Sequence, residues 1–338
     1  MKTLLLTGIG GSIGIHTFCH ICHNTDWRVI GIDSFRHKGL TDRITTVLAD
    51  HPDWRERLTM VTHDLTAPFS PMAIEKMGRI DYIISMAALS DVQASIDHPV
   101  PFVRNNVDIA LTMLELARAL KPEAFIQIST DETYGPATHD GQHPEWSPIL
   151  PSNPYSGSKA AQEALCTAWW RTYNVPLITV NLMNNFGEMQ QGGKFPVMVQ
   201  RAVMAGDTVK IHGRPNDIGT RFYIHSRNSA DALLWLLRNV TPNLHEEGQL
   251  DRPARFNIVG DAQLDNLELA QVIAGMLGKP LKWEFVGASD SRPGHDQHYG
   301  LDGSKLRELG WEAPVSFDDS MAEVIKWQTE NPGWLNVE

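Results

Sequence analysis

Thr3-Leu4-Leu5-Leu6-Thr7-Gly8-Ile9-Gly10-Gly11-Ser12-Ile13-Gly14 runs an apolar strand straight into glycines at positions 8, 11 and 14. Such unbroken apolar character is what a strand buried on both faces requires. The GxxGxxG spacing behind it allows a tight turn at Gly8, close approach of backbone to a pyrophosphate at Gly11, and close helix–strand packing at Gly14. Phosphates would then face Gly11, Ser12 and Ile13 at the start of a helix, where unpaired amides concentrate positive charge. Asp33 ends the next apolar run, about 20 residues on, where a carboxylate takes the adenosine ribose hydroxyls of NAD. A carboxylate there repels the extra phosphate of NADP, a preference that Arg36, His37 and Lys38 would soften.

The rhythm continues outward from that stretch. Apolar runs at 27–33, 58–63, 82–86, 125–130 and 177–182 predict buried parallel strands, and amphipathic stretches at 107–120 and 158–173 predict helices between them. This is a doubly wound α/β fold of Rossmann type. Residues 1–184 are expected to form the NAD-binding domain, with some later segments returning to it. Residues 185–338 are expected to form mainly a smaller, mixed substrate-binding lobe. There the pattern loosens into a predicted long loop holding Gly192-Gly193, Gly213, Pro215 and Gly219, followed by a helix at 229–239. No repeat or hydrophilic linker separates the halves, so a cleft between them is the expected ligand site.

Composition narrows the classes. The 338 residues carry a net charge of −11 with no Lys/Arg-rich run, which argues against nucleic acid or anionic lipid as a partner. No apolar stretch reaches the roughly 18 residues of a membrane span, and the N-terminal run is too short for a signal peptide, so a cytoplasmic enzyme is expected. Three cysteines argue against a disulfide framework. Cys19-His20-Ile21-Cys22-His23 matches the CxxCH pattern of haem attachment, but Ile15, Phe18, Cys19 and Cys22 read more simply as the inward stripe of the first helix. No metal site is expected.

Two constellations carry the chemistry. Tyr155 and Lys159 lie four residues apart on one helical face, and a cation beside a phenol is expected to lower its pKa from about 10, giving a base for a hydroxyl proton as hydride leaves the same carbon. Ser129-Thr130-Asp131-Glu132-Thr133-Tyr134-Gly135 sets two carboxylates side by side after a buried strand. A pure hydride-transfer enzyme has no use for both, whereas a dehydrating one needs an acid and a base held in different protonation states. The plain alternative is that they cap the following turn. Asp64 is placed either to receive an adenine amino group or to cap a strand end, and Asn106 carries the same ambiguity.

These residues resemble the extended short-chain dehydrogenases/reductases, whose marks are GxxGxxG, a downstream Asp, Ala87-Ala88 and YxxxK, and the resemblance covers nearly the whole chain. Within the NAD-dependent epimerase/dehydratase group, Ser129 to Gly135 is similar to the signature of the nucleotide-diphosphate-glucose 4,6-dehydratases, best known for dTDP-glucose. Pro154 to Ala160, Asn184 to Gly187 and Arg292-Pro293-Gly294-His295-Asp296 add to the likeness. The resemblance implies that Tyr155, assisted by Lys159 and Thr130, deprotonates a C4 hydroxyl, that Glu132 removes the C5 proton, and that Asp131 protonates the C6 hydroxyl. It also implies NAD contacts from Leu65, Ala87 and Ala88, substrate contacts from Ser90, Asn185, Lys194, Arg221 and Arg292, and a homodimer.

The match is incomplete at Leu89 and Asp91, where the dTDP-glucose enzymes commonly carry Glu and His, and around Gln190, Gln191 and Pro196. Sugar and base identity therefore stay open between dTDP, UDP and other hexoses. A 4-epimerase or decarboxylase would keep Tyr155 and Lys159 without an acid for C6. A non-enzymatic NAD sensor on the same fold would be expected to lose that pair.

Overall fold

The computed structural model describes residues 1–37, 39–138, 141–215, 217–287, 294 and 296–337. Six strands, β1 (Thr3–Thr7), β2 (Arg28–Asp33), β3 (Leu58–Thr62), β4 (Tyr82–Ser85), β5 (Ala124–Thr130) and β6 (Leu177–Leu182), come first along the chain. Next come β7 (Asn184–Phe186), β8 (Thr208–Arg214), β9 (Asp217–Ile218), β10 (Thr220–His225), β11 (Ala254–Ile258), β12 (Ala262–Asp265) and β13 (Lys282–Val286). Among the described residues a seven-stranded sheet has the order β3-β2-β1-β4-β5-β6-β11, every pairing parallel. Strand β11 returns to this sheet after β7 to β10 have left it.

β1 sits mid-sheet with Leu5 in register with Ile30 on one side and Ile83 on the other. Leu4, Leu5 and Leu6 are wholly buried, each such side chain contributing about 1.5–3 kcal/mol relative to exposure. The chain reverses direction of winding between β1 and β4, so the carboxyl ends of those two strands form the switch point at which open α/β sheets bind ligands.

Helices cover both faces. They are α1 (Ser12–Asn24), α2 (Leu40–Asp50), α3 (Pro71–Met77), α4 (Val92–Asp97), α5 (Pro99–Leu120), α6 (Pro154–Tyr173), α7 (Phe195–Ala205), α8 (Ser226–Asn239), α9 (Asn266–Met276), α10 (Ser304–Glu308) and α11 (Phe317–Glu330). One core layer joins Ile15 and Phe18 of α1 to Leu233 and Leu237 of α8, and the other joins Met113 and Ala117 of α5 to Cys166 and Trp170 of α6. A third cluster, with Val199, Ile211, Tyr223 and Ile273, is the core of the smaller lobe, whose two three-stranded sheets are β12-β10-β7 and β13-β8-β9. No described helix is long and apolar enough to cross a membrane.

Four expectations need correction. β3 is not buried on both faces, because it is the sheet edge and none of its five residues is fully buried. The stretch after Asn184 is not a long loop but contains α7, β8 and β9, with Pro196 at the start of α7 and Gly206 capping its end. The two predicted helices begin earlier than periodicity suggests, at Pro99 and Pro154, because proline is favoured in a first helical turn. The helix expected at 229–239 likewise starts at Ser226, capped by the His225 side chain.

Candidate active site

The glycine turn is forced by crowding. Gly8 has φ +69, and a Cβ there would lie 3.1 Å from the Ala87 Cα; one on Gly14 would lie 2.0 Å from the Gly8 carbonyl oxygen. Only hydrogen fits at either place, which leaves the amide end of α1 open as a cradle for a pyrophosphate. Asp33 is held beneath it, its Oδ2 accepting from the Gly10 amide at 3.0 Å and its Oδ1 from the Phe35 amide at 3.1 Å. Thr7 Oγ1 accepts from the amides of Met86 and Ala87, so the loop after β4 is pinned to the loop after β1. Buried Arg43 ties the turn to the segment after β7, donating to the carbonyls of Gly10 at 3.1 Å and Met189 at 2.8 Å.

These residues open onto a cleft of about 330 Å³. Gly8, Gly11, Ser12, Ile13, Gly14, Asp33, Leu65, Ala87 and Ala88 line one end, and Ser90, Asn185 and Lys194 line it with the catalytic candidates Thr130, Asp131, Glu132, Tyr155 and Lys159. The glycine cradle and the placement of Asp33 fit a dinucleotide along this end. Asp64 does not line the cleft: its carboxylate accepts from Thr66 and pairs with Arg36 at 3.3 Å, the strand-end alternative of the two. Asn106 does not line it either. Wholly buried, it accepts from the Leu89 amide and donates to the Leu89 carbonyl and Ser158 Oγ, so it holds the 87–90 loop against α6. Its neighbour Asn105 lines the cleft and accepts from Arg36.

At the other end the sheet delivers the acids. β5 is buried throughout and passes at Thr130 into a single 3-10 turn, Asp131–Tyr134. Gly135 ends it at φ +79, where a Cβ would lie 2.2 Å from the Leu150 carbonyl oxygen. Thr130 Oγ1 donates to Asp131 Oδ1 at 2.8 Å, while Asp131 Oδ2 is buried with no hydrogen-bond partner among the described residues. Asn153, which caps α6, donates through Nδ2 to Glu132 Oε2 at 3.0 Å and to the Gly294 carbonyl at 3.0 Å. Burial pushes Asp131 up to about 6. Burial, with the Asp131 charge beside it, pushes Glu132 up to about 7. Two carboxylates so raised retain a proton between them near neutral pH.

Tyr155 departs from expectation. Burial, then the neighbouring Glu132 carboxylate, pushes its phenol above the usual range, and only a hydrogen bond with Thr130 works the other way. Lys159 is one turn on, but its ammonium donates to the Ile128 carbonyl and to Gln162 Oε1, both at 2.7 Å. Burial lowers Lys159 to about 8. The spacing indicated the shared helical face but not how deeply both groups are desolvated.

The substrate candidates divide. Lys194 caps the start of α7 at the cleft, whereas Asn185 spends its side chain internally, accepting from Ser229 and donating to the Met183 carbonyl. Arg221 on β10 is not among the residues lining the cleft, but its charge bears on Asp131, Glu132 and Asp296, its guanidinium lies 5.0 Å from the Tyr299 ring, and its Nη1 is buried with no partner among the described residues. Arg292 lies outside the described residues, as does Lys38. Sequence reasoning missed Asn153, Arg43 and Tyr299 as parts of the site. Asn153 signalled itself only as a helix cap before Pro154; nothing local marked its contact with Glu132.

The family model of GDP-mannose 4,6 dehydratase matches residues 5–324. A low-salt glycan biosynthesis protein of Haloferax volcanii is 32% identical over 326 residues, covering 96% of this chain and 97% of that one. A dTDP-glucose 4,6-dehydratase of Shigella flexneri is 30% identical over 357 residues, covering 98% and 94%. Among solved structures, the dTDP-glucose 4,6-dehydratase of Streptomyces venezuelae with NAD bound superposes with a TM-score of 0.84 at 28% identity, covering 98% of each chain.

Proposed function

The chain belongs to the GDP-mannose 4,6 dehydratase family, and from that premise we propose that it is an NAD-dependent hydro-lyase converting a nucleotide-diphosphate hexose, of the dTDP- or UDP-glucose type, to its 4-keto-6-deoxy form. The observation that carries this reading is the pair of proton-retaining carboxylates at 131 and 132, held in one cleft with Tyr155 and the glycine cradle. Gly8, Gly11, Ser12, Ile13, Gly14, Asp33, Leu65, Ala87 and Ala88 would hold NAD. NAD bound there would supply the hydride acceptor for C4 and the hydride donor for C6, so it would be regenerated at each turnover and stay in place.

The remaining work falls to side chains. Tyr155, in its phenolate form, takes the C4 hydroxyl proton, with the Thr130 hydrogen bond favouring that form and Lys159 one helical turn behind it. The ketone so formed acidifies C5. Glu132 removes that proton while Asp131 delivers its own to the C6 oxygen, and water leaves across C5 and C6. Glu132 then returns a proton to C5. Lys194, Ser90 and Arg221 are the substrate contacts in this reading, the Arg221 charge bearing on the end where the acids stand. Incubation with dTDP-, UDP-, GDP- and CDP-glucose, GDP-mannose and UDP-N-acetylglucosamine, followed by mass spectrometry, tests it: loss of water from one of them supports the reading. Inversion at C4 without that loss would replace it with an epimerase.

Activity requires one proton on the acid pair, held on Asp131 with Glu132 ionised, which is the minor one-proton form because Glu132 is raised further than Asp131. Below about pH 6 both carboxyls are protonated and no base remains; above about pH 7 both are ionised and no acid remains. The expected kcat/KM profile is a narrow bell peaking between those values, since kcat/KM reports the free enzyme. A profile flat from pH 5 to about pH 9 would remove the pair from the chemistry.

A homodimer through the outer faces of α5 and α6 follows the family reading; light scattering should return twice the chain mass, and a monomer would refute it. Cytoplasmic residence is inferred from three free thiols, Cys19, Cys22 and Cys166, and export of the protein in a fractionation experiment would contradict it.

A further inference from the structure

Resting on the dehydratase reading, we infer that Glu163, Asn181 and Arg255 form a buried positioning network that holds the turn carrying Asp131 and Glu132 at the height elimination requires. Glu163 stands one helical turn beyond Lys159 on α6 and is 1% exposed; Arg255 of β11 is 2% exposed. Arg255 Nη2 donates to Glu163 Oε2 at 2.6 Å. The other carboxylate oxygen accepts from Ser129 Oγ and from Asn181 Nδ2, the latter at 3.0 Å. Asn181, on β6, is wholly buried, and its Nδ2 also reaches the Thr130 carbonyl at 2.9 Å and Thr133 Oγ1 at 3.2 Å. Tyr134 closes the circuit, donating to Asn181 Oδ1 at 3.4 Å and accepting from Arg255 Nη1 at 3.3 Å.

The residues gripped are 129, 130, 133 and 134, which flank the acids on both sides and leave the acids' own side chains free for the cleft. Three neighbouring strands, β5, β6 and β11, and one helix, α6, meet at this point. A buried ion pair is poor support for stability as such, because apolar replacement is often neutral or better; what it does well is fix one arrangement. The base that deprotonates the C4 hydroxyl rides on α6 and is held there by its own helix, so loosening the turn should misplace the eliminating groups while leaving the Tyr155 ring in place, with only its Thr130 hydrogen bond touched by the change.

The test separates the two half-reactions in a single turnover, reading C4 oxidation by absorbance at 340 nm and elimination by mass. Asn181→Ala should slow loss of water about 10- to 100-fold, the scale of a displacement near 1 Å, with oxidation and KM changed less than about 3-fold. The double variant Glu163→Met/Arg255→Met, which removes both charges together, should give the same split and serves if Asn181→Ala fails to fold. Equal slowing of both half-reactions, or a lower melting temperature with both rates intact, would make the network merely structural and overturn the inference. If the unaltered protein dehydrates none of the nucleotide hexoses, the functional reading itself fails and takes this inference with it.

Discussion

Tyr155→Phe should lower turnover on the order of 10³-fold, the range a positioned acid–base group contributes, and should stop the reaction before any C4 oxidation. Only the hydroxyl is removed. The ring keeps its edge contact with Phe102 at 6.2 Å, and the backbone amide keeps its bond to Ser95 Oγ, so melting temperature and retained NAD should be near those of the parent. Burial and the Glu132 charge favour the protonated phenol in the free protein, and the Thr130 hydrogen bond opposes them. Lys159, lowered to about 8 by burial, loses its charge as pH rises through that value. Single-turnover absorbance at 340 nm is the measurement; a Phe variant that still oxidises substrate within about tenfold of the parent rate would remove Tyr155 from the base role.

The outcome at Tyr155 illustrates what spacing conveys and what it omits. β1 and β6 were legible to the residue, at 3–7 and 177–182, because strands buried on both faces admit little but apolar side chains. The glycine turn and Asp33 were legible because the crowding at Gly8 and Gly14 leaves no alternative residue. Contacts between distant segments left no such trace. Arg43 reaching Gly10 and Met189, Asn153 reaching Glu132, and Arg255 reaching Glu163 each span roles that a local pattern assigns to a surface cation or a helix cap. α7 and β8 were overlooked for another reason. Gly192-Gly193, Gly213, Pro215 and Gly219 read as loop punctuation, although a helix bounded by Pro196 and Gly206 follows the first pair and Gly213 sits at φ +142 where β8 turns back on β9. Asp64 admits two readings from the sequence, and its bonds to Thr66 and Arg36 are those of the local one.

Asp131→Asn should separate the steps that Tyr155→Phe abolishes together. The amide is nearly isosteric and can still accept from Thr130 Oγ1, which lies 2.8 Å from Asp131 Oδ1, so the turn should keep its shape. What disappears is the proton for the departing C6 oxygen, and loss of water should slow by about 10²- to 10³-fold. C4 oxidation should stay within about 3-fold, because Tyr155 and Lys159 are untouched. Glu132 supplies a second and sharper reading. The Asp131 charge is one of the causes holding Glu132 up near 7, so its removal lowers the Glu132 pKa and leaves more of it ionised at neutral pH. Hydrogen exchange at C5 with deuterated water, which needs only the ketone and the Glu132 base, should therefore persist in Asp131→Asn and extend to lower pH. In Glu132→Gln it should vanish. An Asn variant that loses oxidation, exchange and dehydration in equal measure would show the carboxyl at 131 to be a cap on its turn, and the division of labour between the two acids would have to be abandoned.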